Sequence, residues 1–193
     1  MRLSAVACVA GGVAWIALAA AAQARHGGDL GYEAYFRLMA VPLVLFAVGF
    51  HGVWREWRPQ DPRARWGTRV VVAGLALAAA GTTLEFWGVL VQDEPTAHDA
   101  RGGDAWVGSD VGWSMFMLGF FALLVGGTTA AVRIWRSSPY PRWLGTLVLL
   151  MGFGVLAGNL FSDEALYVTV PVFGAFGAGW IALGRWLWRR APA

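Results

Sequence analysis

Six apolar runs of similar length follow one another along this chain, separated by short polar segments whose charge alternates in sign. The runs cover about residues 3–22, 34–54, 70–91, 111–132, 143–161 and 168–187. A helix rises about 1.5 Å per residue and the bilayer core is about 30 Å thick, so roughly 20 apolar residues span it. In hydrocarbon every backbone N–H and C=O must be satisfied internally, which makes such spans helical. The pattern predicts an all-α, polytopic membrane protein. Residues 1–193 form a single transmembrane domain, a six-helix bundle built as three helical hairpins.

The charges orient it. All fifteen basic residues are arginine. Twelve lie at the two chain ends or in alternate loops: Arg2; Arg55, Arg58, Arg63, Arg65 and Arg69; Arg133, Arg136 and Arg142; Arg185, Arg189 and Arg190. The intervening loops carry Asp29 and Glu33, then Asp93, Glu94, Asp99, Asp104 and Asp110, then Asp163 and Glu164. By the positive-inside rule both termini are cytoplasmic. Tryptophan agrees. Trp54, Trp57, Trp66, Trp135, Trp143, Trp186 and Trp188 crowd the arginine-bearing ends, as interface anchors do, while Trp15 and Trp180 fall near mid-span.

At 58% hydrophobic and 14% charged, the chain is too apolar for an ordinary soluble domain. Its pI near 9.6 does not indicate nucleic acid, because the arginines sit beside tryptophans at the ends of apolar runs. Abundant Ala and Gly, with Arg used to the exclusion of Lys, fit a bacterium with a GC-rich genome. The expected location is therefore the inner (plasma) membrane. The Ala22-Gln23-Ala24 stretch offers a signal-peptidase alternative for residues 1–24, but the preceding apolar run exceeds the usual ~7–15 residues of a signal sequence. A retained first helix is the preferred reading.

Three outgoing helices reach Gly nine or ten residues after an Arg (Arg2 to Gly11, Arg65 to Gly74, Arg142 to Gly152), and three returning ones end in Trp-Arg. This hints at hairpin repeats of the kind from which transporters are built. Small residues at four-residue spacing (Gly154 and Gly158, Gly174 and Ala178, Ala175 and Gly179) mark helices five and six for close packing. Pro42 and Pro171 mark kinks.

Ionisable and polar groups at membrane depth are the first place to look for function. Counted from the inner helix ends, Glu85 lies about 22 Å deep, Asn159 about 24 Å, Arg37 about 25 Å and Ser114 about 27 Å. Four helices thus place a polar group in one layer of the outer leaflet. Arg37, Glu85, Ser114 and Asn159 are the candidate ligand-binding residues, with an Arg37–Glu85 pair between helices two and three. Thr82, three residues before Glu85, shares its face. The same pair read structurally would lock two helices.

Much chemistry is excluded. A lone Cys8 rules out an intrachain disulfide, and three scattered histidines do not make a bis-His haem site within the membrane. No His-Glu-x-x-His or Gly-x-Ser-x-Gly motif occurs. Asp93, Glu94, His98 and Asp99 in the 92–110 loop are weak metal candidates, since acids also follow from keeping arginines on the other side. No cofactor is expected. The partners expected are membrane lipid, a second copy of the chain or another membrane protein. The favoured role is non-catalytic, by helix packing or by binding lipid or a small ligand in the outer leaflet. A small-solute or lipid transporter comes second, and a membrane enzyme with an outward-facing site third.

Overall fold

The computed structural model describes residues 1–24, 29–56, 62–87, 107–137, 140–160 and 166–191. These form six α-helices: α1 (Arg2–Ala24), α2 (Asp29–Glu56), α3 (Pro62–Trp87), α4 (Val107–Ser137), α5 (Arg142–Leu160) and α6 (Leu166–Arg190). No strand occurs among the described residues.

The helices outrun the apolar segments that announce them. α3 begins at Pro62, not near 70, because proline suits the first helical position and the charged turn that follows carries no helix breaker. α2, α4 and α6 each carry arginine in the last turn, where it opposes the negative end of the helix dipole. Pro42 sits inside α2 without ending it.

Four helices are long and apolar enough to cross a membrane by length and composition, with windows Arg2–Ala21, Arg37–Arg55, Arg65–Glu85 and Val111–Arg136. The described part of α5 adds a shorter apolar stretch, Arg142–Phe153. Their outward faces are apolar too. Leu3, Val6, Val41, Val44, Leu118, Phe121 and Val125 are each about half exposed or more. Apolar faces of that extent are unsuited to water and suited to lipid.

Each helix packs on the next, and α6 returns onto α1, closing a circuit. Among the described residues α1 packs more extensively on α2 than α2 does on α3, and α3 on α4 than α4 on α5, while α6 lies more extensively against α1 than against α5. The two closest seams are built on glycine. On α3, Gly67, Gly74 and Gly81 meet Gly126, Gly119 and Gly112 of antiparallel α4. A methyl placed on Gly74 would stand 2.8 Å from the Gly119 carbonyl oxygen, and one on Gly119 would stand 2.7 Å from that of Gly74. Backbone rests on backbone. On the other side Ala5 and Gly12 of α1 meet Gly184 and Gly177 of α6 in the same way. Both seams repeat every seven residues, the period that keeps one helix face against its neighbour.

Among the described residues, the close backbone approaches do not fall on the Gly174–Ala178 and Ala175–Gly179 stripes. Gly174 has open space where a side chain would go, and Gly179 meets only the Leu147 side chain. The side chains of residues 154–173, which include the Gly154–Gly158 stripe and Pro171, lie outside the described set.

Between the seams the interior is filled by large side chains. Phe46 stacks on Trp180 with ring centroids 4.3 Å apart, and Trp15, Phe50 and Phe176 pack edge-on or tilted around that pair. This cluster joins α1, α2 and α6 at mid-span. Towards α3 and α4, Leu75, Phe116, Phe120 and Leu123 continue the core, with Phe116 edge-on to Phe120 at 4.6 Å.

Candidate functional site

Glu85 is the one acidic side chain that is buried among the described residues, with 1% of its surface exposed. Its burial follows from the glycine seam. Gly112 of α4 crosses directly over it, so that a methyl on Gly112 would stand 2.6 Å from the Glu85 amide nitrogen. A larger residue at 112 would hold α4 away and open the carboxyl to the surroundings. Thr82, fully buried on the same face, donates its hydroxyl to the Ala78 and Ala79 carbonyl oxygens at 3.2 and 3.0 Å. The hydroxyl hydrogen is thus spent within α3.

Arg37 of α2 is half-buried. Its level relative to Glu85 comes from the α2/α3 register. At the other end of this pair the Arg69 guanidinium lies over the Trp54 ring, 5.8 Å from its centroid. Arg37 is 54 − 37 = 17 residues up α2 from that contact, and Glu85 is 85 − 69 = 16 residues up α3. By this count the two charged residues fall within about one helical turn of each other along neighbouring antiparallel helices.

The other two candidates of the polar layer do not join them in the same way. Ser114 is on the exposed face of α4, between Trp113, about a third exposed, and the core residue Phe116. Whatever its depth, helical periodicity turns it outward. Asn159 is in the last turn of α5, where side chains lie outside the described residues. Asp93, Glu94, His98 and Asp99 also lie outside them, and among the described residues no three His, Cys, Asp or Glu side chains gather. His51 is exposed on α2, with its ring 5.1 Å from that of Trp54.

The opposite end of the bundle collects arginine and tryptophan. Arg2 lies over Trp188 at 6.0 Å, Arg190 over Trp186 at 4.3 Å, and the Trp135 indole N–H donates to the Arg142 carbonyl oxygen at 3.0 Å. Tyr140 packs on Trp186 at 5.1 Å. These contacts join the start of α1 to the end of α6, and the end of α4 to the start of α5. Together with Arg69 on Trp54, they bring the arginine-bearing helix ends to one end of the molecule.

At this end lies a groove of about 360 Å³ between α1 and α6. It does not reach the level of Arg37 and Glu85. Sequence reasoning missed it, although its signals were present: small residues at Ala5 and Gly184, and a pair of arginines one helical turn apart at 185 and 189. The α3/α4 glycine seam was equally readable in the seven-residue spacing of Gly67, Gly74 and Gly81.

Comparison with known proteins returned no matching family model, no matching curated protein and no matching solved structure.

Proposed function

We propose that this chain is a small integral protein of a bacterial inner membrane that crosses the bilayer six times with both termini in the cytoplasm. It works by binding, not by catalysis or by passing a solute. The observation that carries this reading is the filled centre. Phe46 and Trp180 near mid-span, Phe50 towards the arginine-bearing end and Phe116 towards the other end are each at most 1% exposed. A conducting path needs polar groups or water along its length, and a wall of stacked aromatic rings provides neither.

The charged layer is the binding element at the outer leaflet. Arg37 and Glu85 pair across α2 and α3, which lowers the cost of holding either charge in the bundle. The half-buried guanidinium of Arg37 keeps donors available towards the surface, where a lipid headgroup or a small polar ligand would meet it. Asn159 belongs to the same layer by depth.

Purified protein in sealed vesicles tests the choice between binding and transport. With a proton gradient read by an internal dye, and with osmotic swelling in small neutral and anionic solutes, the vesicles are expected to behave as protein-free ones do. Flux that disappears in Glu85→Gln would replace this reading with a transporter.

A further inference from the structure

The groove between α1 and α6 has a composition that specifies its occupant. Its floor is the contact of Ala5 with Gly184, where a methyl on the glycine would fall 2.6 Å from the Ala5 carbonyl oxygen. Val6 and Ala10 form the wall on α1, and Val9 completes the apolar lining. Along α6 the rim is charged: Arg185 and Arg189 are exposed on the same helical face one turn apart, with half-exposed Trp188 beside them. Arg2, over the Trp188 ring at 6.0 Å, adds a third cation at the mouth.

Neither α1 nor α6 contains an acidic residue, and no hydrogen bond or ion pair joins Arg185 or Arg189 to another described residue. The positive charge here awaits a negative partner. From Arg2 to Ala10 the groove extends about 12 Å along α1, the depth of the upper part of one acyl chain. It then ends, whereas a docked helix would need a channel running on along the bundle.

We propose that this groove binds an anionic phospholipid, with one acyl chain on the Ala5–Gly184 floor and the phosphate held by Arg185 and Arg189. Guanidinium forks match phosphate oxygens in pairs, and the Trp188 ring suits the glycerol level between the two. Basic pockets between membrane helices recognise lipid headgroups by the same combination. The proposal rests on the membrane reading above, but not on the outer charged layer and not on which way the chain faces.

Native mass spectrometry of the full chain in mild detergent, titrated with phosphatidylglycerol or phosphatidylcholine, tests it. The wild type is expected to retain phosphatidylglycerol in preference. Arg185→Gln/Arg189→Gln weakens that lipid on the order of 25-fold, at about fivefold per arginine, and leaves phosphatidylcholine unchanged. Both side chains are exposed, so folding is not at issue. The pair Arg136→Gln/Arg142→Gln, at the same end but away from the groove, retains the preference. Ala10→Phe fills the groove and weakens both lipids. The proposal is overturned if Arg185→Gln/Arg189→Gln keeps the preference, if the control pair loses it equally, or if glycerophosphoglycerol without acyl chains competes as well as the intact lipid. Solute flux through vesicles with the lipid preference intact would remove the functional reading above and leave this site standing.

Discussion

Replacing one glycine of the α3/α4 seam by alanine should destabilise the bundle, whereas the same change at Gly174 should not. At Gly81 the new methyl would lie 2.5 Å from the Phe116 amide nitrogen, 2.6 Å from the Gly112 carbonyl oxygen and 2.9 Å from the Phe116 Cα. All three are backbone atoms of α4, so no side chain can swing aside. Ordinary contact begins near 3.5 Å, and α4 must withdraw by about 1 Å. A gap of that size forfeits roughly a quarter to a half of each lost dispersion contact along the seam. Overpacking of this kind costs about 1–3 kcal/mol, with the rigid neighbours placing Gly81 at the upper end. Alanine's better helix propensity returns up to about 1 kcal/mol. The net expectation is a loss of about 2 kcal/mol. At Gly174 nothing stands within 4 Å, so only the propensity gain remains. Reversible unfolding of both variants in mixed micelles, followed by far-ultraviolet circular dichroism, measures the difference. Gly81→Ala as stable as the wild type, or Gly174→Ala as damaging as Gly81→Ala, would refute the backbone seam.

Three further outcomes follow from the same structure. If Arg37 and Glu85 are paired, Arg37→Leu alone strands a buried carboxylate and costs about 3–5 kcal/mol, while Arg37→Leu/Glu85→Leu recovers most of the loss; a double-mutant cycle showing simple additivity would sink the pair. Trp180→Ala removes the ring stacked on Phe46 and should cost about 3–5 kcal/mol in the same unfolding assay, whereas Trp188→Ala, half exposed in the groove, should cost far less. Reporter fusions after residues 57, 138 and 193 should be active in the cytoplasm, and fusions after residues 27 and 98 on the other side; an inverted set would reverse the orientation.

The six helices were legible because long apolar segments announce themselves by length and apolarity, without long-range information. Their ends were less so: α3 starts at Pro62, since an amphiphilic turn rich in arginine stays helical beyond the apolar run. Counting residues along the helices puts Glu85 and Arg37 near one level. Which way each side chain turns depends on the neighbouring helix, and Ser114 came out exposed for that reason. The seams went unread because glycines were sought at four-residue spacing, which suits right-handed crossings, whereas these helices meet every seven residues. Neighbour order was the least legible feature. Nothing local in α1 or α6 states that they close the circuit, and the groove between them exists only because they do.

A closed, dry centre is the claim on which the function rests, and thiol accessibility tests it most directly. The native Cys8 is fully buried beneath Gly49, so a Cys8→Ser background carries no competing thiol. Single cysteines placed along the inward face of α2 at Met39, Leu43, Phe46 and Phe50, and on α6 at Trp180, are then treated from either side of the membrane with a small charged thiol reagent. No labelling of these positions from either side is predicted, with Val41 and Val44 open only to lipid-soluble reagent. A continuous labelled stripe from Met39 through Phe50 would mean a water-filled path, and would contradict the account.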